Sequence, residues 1–105
     1  MSGARSAALA RALELSRQVL SAAEQSDAEG LPRLDAERMR LLQSARAERG
    51  SLSAADHRML SEVAELNDRA IGAMEHHRRI KERAIDMAAV GRRAVAAYAM
   101  TGPRR

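Results

Sequence analysis

Ser53–Ala99 reads SAADHRMLSEVAELNDRAIGAMEHHRRIKERAIDMAAVGRRAVAAYA, and the unbroken helical spacing of this stretch decides the fold. Leu60, Val63, Asn67, Ala70, Met74 and His77 recur at steps of three and four residues, flanked by Leu66 and Ile71. Ile80, Ala84, Met87, Gly91, Val95 and Tyr98 continue the pattern as a second stripe. Such steps keep side chains on one side of an α-helix. Ser53 is placed to cap the first turn, and Asp56 within that turn meets the positive end of the helix dipole. Gly102 and Pro103 are the residues expected to stop it. The expected helix is therefore 53–99, with no proline inside it.

Working backwards, two breaks divide the rest of the chain, at Ser26–Gly30 and at Gly50–Ser53. Before the first lies a helix expected over 4–25, with Leu9, Leu13, Ser16, Leu20 and Ala23 on one side. Leu15 and Val19 widen its apolar face to suit two neighbouring helices rather than one. The first break admits two readings. Ser26 and Glu29 form the S-x-x-E pattern of a capping box, whereas Pro32 suits a first helical position and not an interior one. Starting at Pro32 gives a second helix over 32–49, with Leu34, Leu41, Leu42 and Ala45 as its apolar face and Leu31 just outside. Gly50 then ends it in the manner of a C-terminal glycine.

Helix lengths carry the next inference. At a rise of 1.5 Å per residue, the first two helices span roughly 27–33 Å each and the third roughly 70 Å. Short connections make neighbours antiparallel, so the first two can cover only Ser53 to about Glu75. The segment His76–Tyr98 lies beyond their reach with an apolar stripe of its own. Persistent apolar stripes of this kind mark interaction surfaces. The expected architecture is all-α: an antiparallel three-helix bundle or hairpin in one domain, with a long C-terminal helix that continues, breaks at Gly72 or Gly91, or folds back as a fourth.

Composition supports this class and narrows the chemistry. Alanine, leucine, arginine and glutamate dominate, and all are strong helix formers. Tyr98 is the only aromatic residue, whereas sheets draw on aromatic and β-branched side chains. The absence of cysteine removes disulfides and thiolate metal sites. No apolar run approaches the ~20 residues of a membrane span, and 1–12 lacks the apolar core of a signal peptide. The expected compartment is the cytoplasm. The net charge of +4 is unevenly placed: 1–75 carries −2 and 76–105 carries +6. All but one of the basic residues are arginine, a bias that a GC-rich genome produces unaided.

The polar residues form no recognisable reactive constellation. His57, His76 and His77 lack the i, i+4 spacing that brings two rings to one metal. Asp35, Glu37 and Glu48 fall among Arg38, Arg40, Arg46 and Arg49, which reads as surface ion pairing. No nucleophile elbow, phosphate-cradling glycine loop or nucleotide fingerprint occurs. The expectation is a protein with no enzymatic activity, no catalytic residue, no metal and no cofactor. The arginines after Glu75 allow phosphate contact, but base stacking needs aromatics interleaved with the charge, so nucleic acid is not the expected partner. Among the methionines, Met59 and Met74 are expected in the core, while Met87 lies on the second stripe and suits an adaptable groove.

Leu15-Ser16, Val19-Leu20, Ala23 and Asp27, followed by Leu31, Leu34, Glu37-Arg38 and Leu41-Leu42, resemble the first two helices of FliT-type flagellar export chaperones. Leu66-Asn67, Ile71, Gly91-Arg92-Arg93-Ala94-Val95 and Tyr98 are similar to the later helices of that family. The likeness runs over about residues 9–99 and consists of helix-packing patterns. An aromatic common after the turn aspartate in the family is replaced here by Ala28, Gly30 and Pro32. The resemblance implies a cytoplasmic chaperone that binds the flagellar filament-cap protein and delivers it to the type III export apparatus. It implies a client groove involving Ile80, Ala84, Met87, Val95 and Tyr98. The alternatives are a coiled-coil module that forms a homodimer through the same stripe, a different flagellar client, and a basic nucleic-acid adaptor.

Overall fold

The structure, a computed structural model, describes residues 3–101. The chain is all-α. Its helices are α1 (Gly3–Glu24), α2 (Gly30–Ala47) and α3 (Ala54–Thr101), with no strand among the described residues. Contacts divide the chain into two compact units, Met1–Met74 and Glu75–Arg105. The first holds α1, α2 and the beginning of α3; residues 75–101 of α3 belong to the second. Gly102 and Pro103, the expected stop, lie outside the described residues.

The turn between α1 and α2 is built differently from either sequence reading. Ser26 has φ 55°, a left-handed conformation, and its N–H donates to Ala23 O at 3.3 Å while that of Asp27 donates to Ala22 O at 2.9 Å. This pair of bonds is a Schellman motif, so Ser26 closes α1 and does not open α2. Asp27 opens α2 instead. Its Oδ1 accepts the Gly30 N–H at 2.9 Å, and its carbonyl accepts the Leu31 N–H at 3.1 Å. Pro32 is the third residue of α2, and because the Leu31 N–H already bonds Asp27 O, its missing N–H forgoes the next helical bond, to the carbonyl of exposed Ala28.

The second turn follows its sequence more closely. Glu48 leaves the helix in an extended conformation, and Gly50 takes φ 100°, which its missing Cβ permits. Ser53 Oγ accepts the Asp56 N–H at 3.0 Å, and Asp56 Oδ2 accepts the Ser53 N–H at 3.4 Å. The expected cap is thus reciprocated by the aspartate, one methylene shorter than the usual glutamate.

Packing in the first unit is dominated by α1. Leu9, Ala12, Leu13, Leu15, Val19, Leu20, Ala22 and Ala23 are all buried. Val19, Leu20 and Ala23 meet Ala70 of α3, with Leu31 and Leu34 of α2 and Leu66 and Ala73 of α3 packed around them. Each fully buried leucine or valine contributes about 1.5–3 kcal/mol by leaving water. Val63 and Ala70 are the buried apolar residues of α3, and Met59, Leu60 and Leu66 are half-buried. Met74, expected in the core, is exposed, as is Ile71. The reason is position: Met74 is the last residue of the first unit, one turn past Ala70, where the flanking leucines of α1 and α2 end.

Candidate functional site

The stripe expected to bind a partner lies wholly within the second unit. Ile80 is 51% exposed, Met87 66%, Val95 69% and Tyr98 69%, and Ala84 is exposed as well. Exposure of Ile80, Met87 and Val95 contrasts with 7% for Val63 and 1% for Ala70 on the same helix. Beyond Met74 no described residue of α3 is fully buried, although His77 and Ala89 are half-buried. Regular α-helix through Thr101 places Ile80, Ala84, Met87, Gly91, Val95 and Tyr98 along one side.

A second set of exposed apolar residues was not singled out by periodicity. Ile85 (58%) and Met100 (87%) are exposed, and with half-buried Ala89 and exposed Ala96 they fall at steps of four, seven and four on the far side of the helix. The two alanines between them made this row hard to separate from a solvated face. Val90, also exposed, sits between the two rows.

Charge surrounds the main stripe. Arg78 pairs with Glu82 at 3.9 Å, both side chains being more than half exposed, so the pair contributes little to stability. Among the described residues, Arg79, Lys81, Arg83, Arg92 and Arg93 have no carboxylate within ion-pair distance.

The first unit holds a different feature, a cavity of about 480 Å³ lined by Leu9, Leu42, Ala45, Leu52 and Leu60 together with Arg5, Arg46 and Glu48. Arg5 reaches across to the turn after α2. Its Nη1 donates to Gly50 O and Ser51 O, each at 3.2 Å, and its Nη2 donates to Glu48 O at 2.5 Å. The guanidinium is thereby committed to holding the turn closed. Beside it, Ser6 Oγ donates to Asp56 Oδ1 at 2.8 Å. That hydroxyl bond is the main reason the Asp56 carboxyl lies below its ordinary value of 3.8, with the Ser53 bonds and nearby Arg5 adding to it and burial opposing. An acid kept ionised by caps and serving as a cap is a structural group.

Ion pairing on α2 departs from expectation at Arg38, and among the described residues Glu48, Arg40, Arg46 and Arg49 make no ion pair. Arg38, read as surface, is buried and bonds Asp35 Oδ1 at 2.5 Å and Asn67 Oδ1 at 3.0 Å. Glu37 does make an exposed pair, with Arg11 of α1 at 3.6 Å.

His76 and His77 rings are 6.0 Å between centroids and tilted by 58°, and no cluster of three histidine or carboxylate ligands occurs among the described residues. No helix among them is long and apolar enough to cross a membrane. No family model matches the chain, and no curated protein or solved structure matches it either.

Proposed function

We propose that this protein is a non-enzymatic chaperone of the cytoplasm that holds a helical segment of another protein along the exposed stripe of α3. One observation carries the reading: Ile80, Met87 and Val95 stay exposed on a helix whose earlier stripe is buried. Removing such a stripe from water stabilises a complex by about 25 cal/mol for each Å² covered, and a helix laid in a groove is the geometry that covers it. The finer architecture belongs to the same proposal. The contacts of Val19, Leu20 and Ala23 with residues of α2 and α3 support an antiparallel three-helix bundle serving as the platform.

The resemblance to FliT-type chaperones supplies the client. On that reading the stripe binds the C-terminal segment of the flagellar filament-cap protein and releases it at the export apparatus. Calorimetric titration of the full chain with that segment tests it. Saturable binding is expected, lost in Met87→Glu and in Val95→Glu while helical circular dichroism is unchanged. Absence of binding up to about 0.1 mM, or binding indifferent to both substitutions, overturns it.

A further inference from the structure

The stripe on 75–101 has edges of a single charge. Successive residues of a helix advance by about 100°, so each neighbour of the stripe can be placed on one side of it or the other. Arg79 and Arg83, four residues apart, run along one edge, with Met87 continuing their row one turn on. Lys81 and Arg92, eleven residues and three turns apart, run along the opposite edge. Glu75 and Glu82 fall on the back of the helix, where Glu82 pairs with Arg78, and Asp86, seven residues and about 20° from Arg79, lies just behind that edge. Along the stripe itself the side chains are small at Ala84, Ala88, Gly91 and Ala94. At Gly91 a Cβ would meet nothing within 4 Å, so the helix surface there is open.

We infer that the occupant of this stripe is an amphipathic helix whose apolar face is edged by glutamate or aspartate. The inference rests on the protein-binding reading above and specifies its partner. Edge residues flanking an apolar seam choose partners by charge. A second copy of this segment would bring Arg79, Arg83, Lys81 and Arg92 against the same arginines and lysine, which repels. An anionic membrane would satisfy the charge. However, helices that lie in lipid headgroups present Trp, Phe or Leu, and 75–101 contains none of these. The alanines and glycine favour close approach of another helix backbone instead.

Two synthetic helices matched in length to 75–101, with identical leucine faces and edged by Glu in one and Lys in the other, test this with the full chain. The Glu-edged peptide is expected to bind at least about tenfold more tightly, four exposed edge pairs being summed. Its affinity should fall as NaCl is raised from about 0.05 M to about 0.5 M. The double variant Arg79→Glu/Arg83→Glu should lose that preference, whereas Arg78→Glu/Arg93→Glu, the same charge change on the back, should keep it. Equal binding of the two peptides, or equal loss in both variants, overturns the inference. So does a dimer mass in light scattering, or binding of phosphatidylserine vesicles or duplex DNA that the Glu-edged peptide cannot displace. Failure of the cap-protein segment alongside a clear Glu preference would remove the flagellar client and leave the acidic helix standing.

Discussion

Arg38 Nη2 donates to Asn67 Oδ1 at 3.0 Å, and this bond joins α2 to α3 inside the first unit. The Arg38 side chain is only 7% exposed, and its Nε and Nη1 have no partner among the described residues. A buried guanidinium with incomplete bonding is costly. What it supplies is alignment. Arg38 lies in the row Leu31, Leu34, Arg38, Leu41 and Ala45, and Asn67 in the row Asp56, Leu60, Val63, Asn67 and Ala70. A polar pair at matched core positions fixes the register of two helices at the expense of stability.

Substitutions at this pair should therefore act in opposite directions. Asn67→Ala removes one of the two acceptors of Arg38 Nη2, leaving Asp35, and should destabilise by about 1–3 kcal/mol. Arg38→Met with Asn67→Leu removes both polar groups and should be neutral or stabilising. Urea unfolding with an unchanged slope measures both. A cost below about 0.5 kcal/mol for Asn67→Ala would mean that water already serves the guanidinium.

The same rows explain what was legible in the sequence and what it hid. Leu9, Leu13, Leu15, Val19 and Leu20 could be assigned to the core because apolar residues at helical steps have one economical place to go. Helix lengths set an expected boundary near Glu75, and on α3 the fully buried apolar residues are Val63 and Ala70. Arg5 and Arg38 were missed, although each stands on a core row (Arg5, Leu9, Ala12, Ser16, Val19, Ala23 for the first). Hydropathy reads an arginine as a gap in the stripe. Only the carbonyls of Glu48, Gly50 and Ser51 make Arg5 a core residue, and they come together through the fold. Ser26 misled because a serine accommodates both ends of helices, and the backbone decided between them. The stripe on 75–101 was legible as an apolar row. What covers it was not, because the residues that would complete the contact lie outside this row.

Arg5 should prove more important than its position near the start of α1 suggests. Arg5→Ala leaves three carbonyls of the α2–α3 turn without donors and should cost about 2 kcal/mol or more. Arg5→Lys should restore little, because an ammonium cannot reproduce a planar fork that spans three acceptors. Hydrogen exchange localises the effect: protection should fall first around 48–57. Equal stability of the Lys and Arg forms would show that charge alone, not the fork, holds the turn.

Two glycines give a matched pair of expectations. Gly50 has φ 100°, so Gly50→Ala forces a Cβ into left-handed backbone and should destabilise by about 1 kcal/mol. Gly72 lies within α3, and a Cβ added there would meet nothing within 4 Å, so Gly72→Ala should stabilise by about 0.5–1 kcal/mol. Thermal melts of both variants suffice. A destabilised Gly72→Ala would indicate that α3 bends at Gly72 in solution and uses the glycine as a hinge.

Asp56 predicts how the first unit responds to acid. Its carboxyl is held below 3.8 in the folded chain, first by the Ser6 hydroxyl and then by Ser53 and Arg5. The unfolded chain therefore binds the proton more readily, and stability falls as pH falls. The contribution is complete above about 4, the unfolded aspartate value, and is lost as pH drops through the lower folded value. Asp56→Asn keeps an oxygen for Ser6 and cannot titrate. Urea midpoints of wild type and Asp56→Asn should differ at about pH 6, and the difference should narrow as pH falls below about 4. Ser6→Ala removes the largest cause, so the Asp56 carboxyl carbon, followed by NMR, should titrate at higher pH in that variant than in wild type. An unmoved titration would transfer the role to Ser53 and the start of α3, and would leave Ser6 as packing alone.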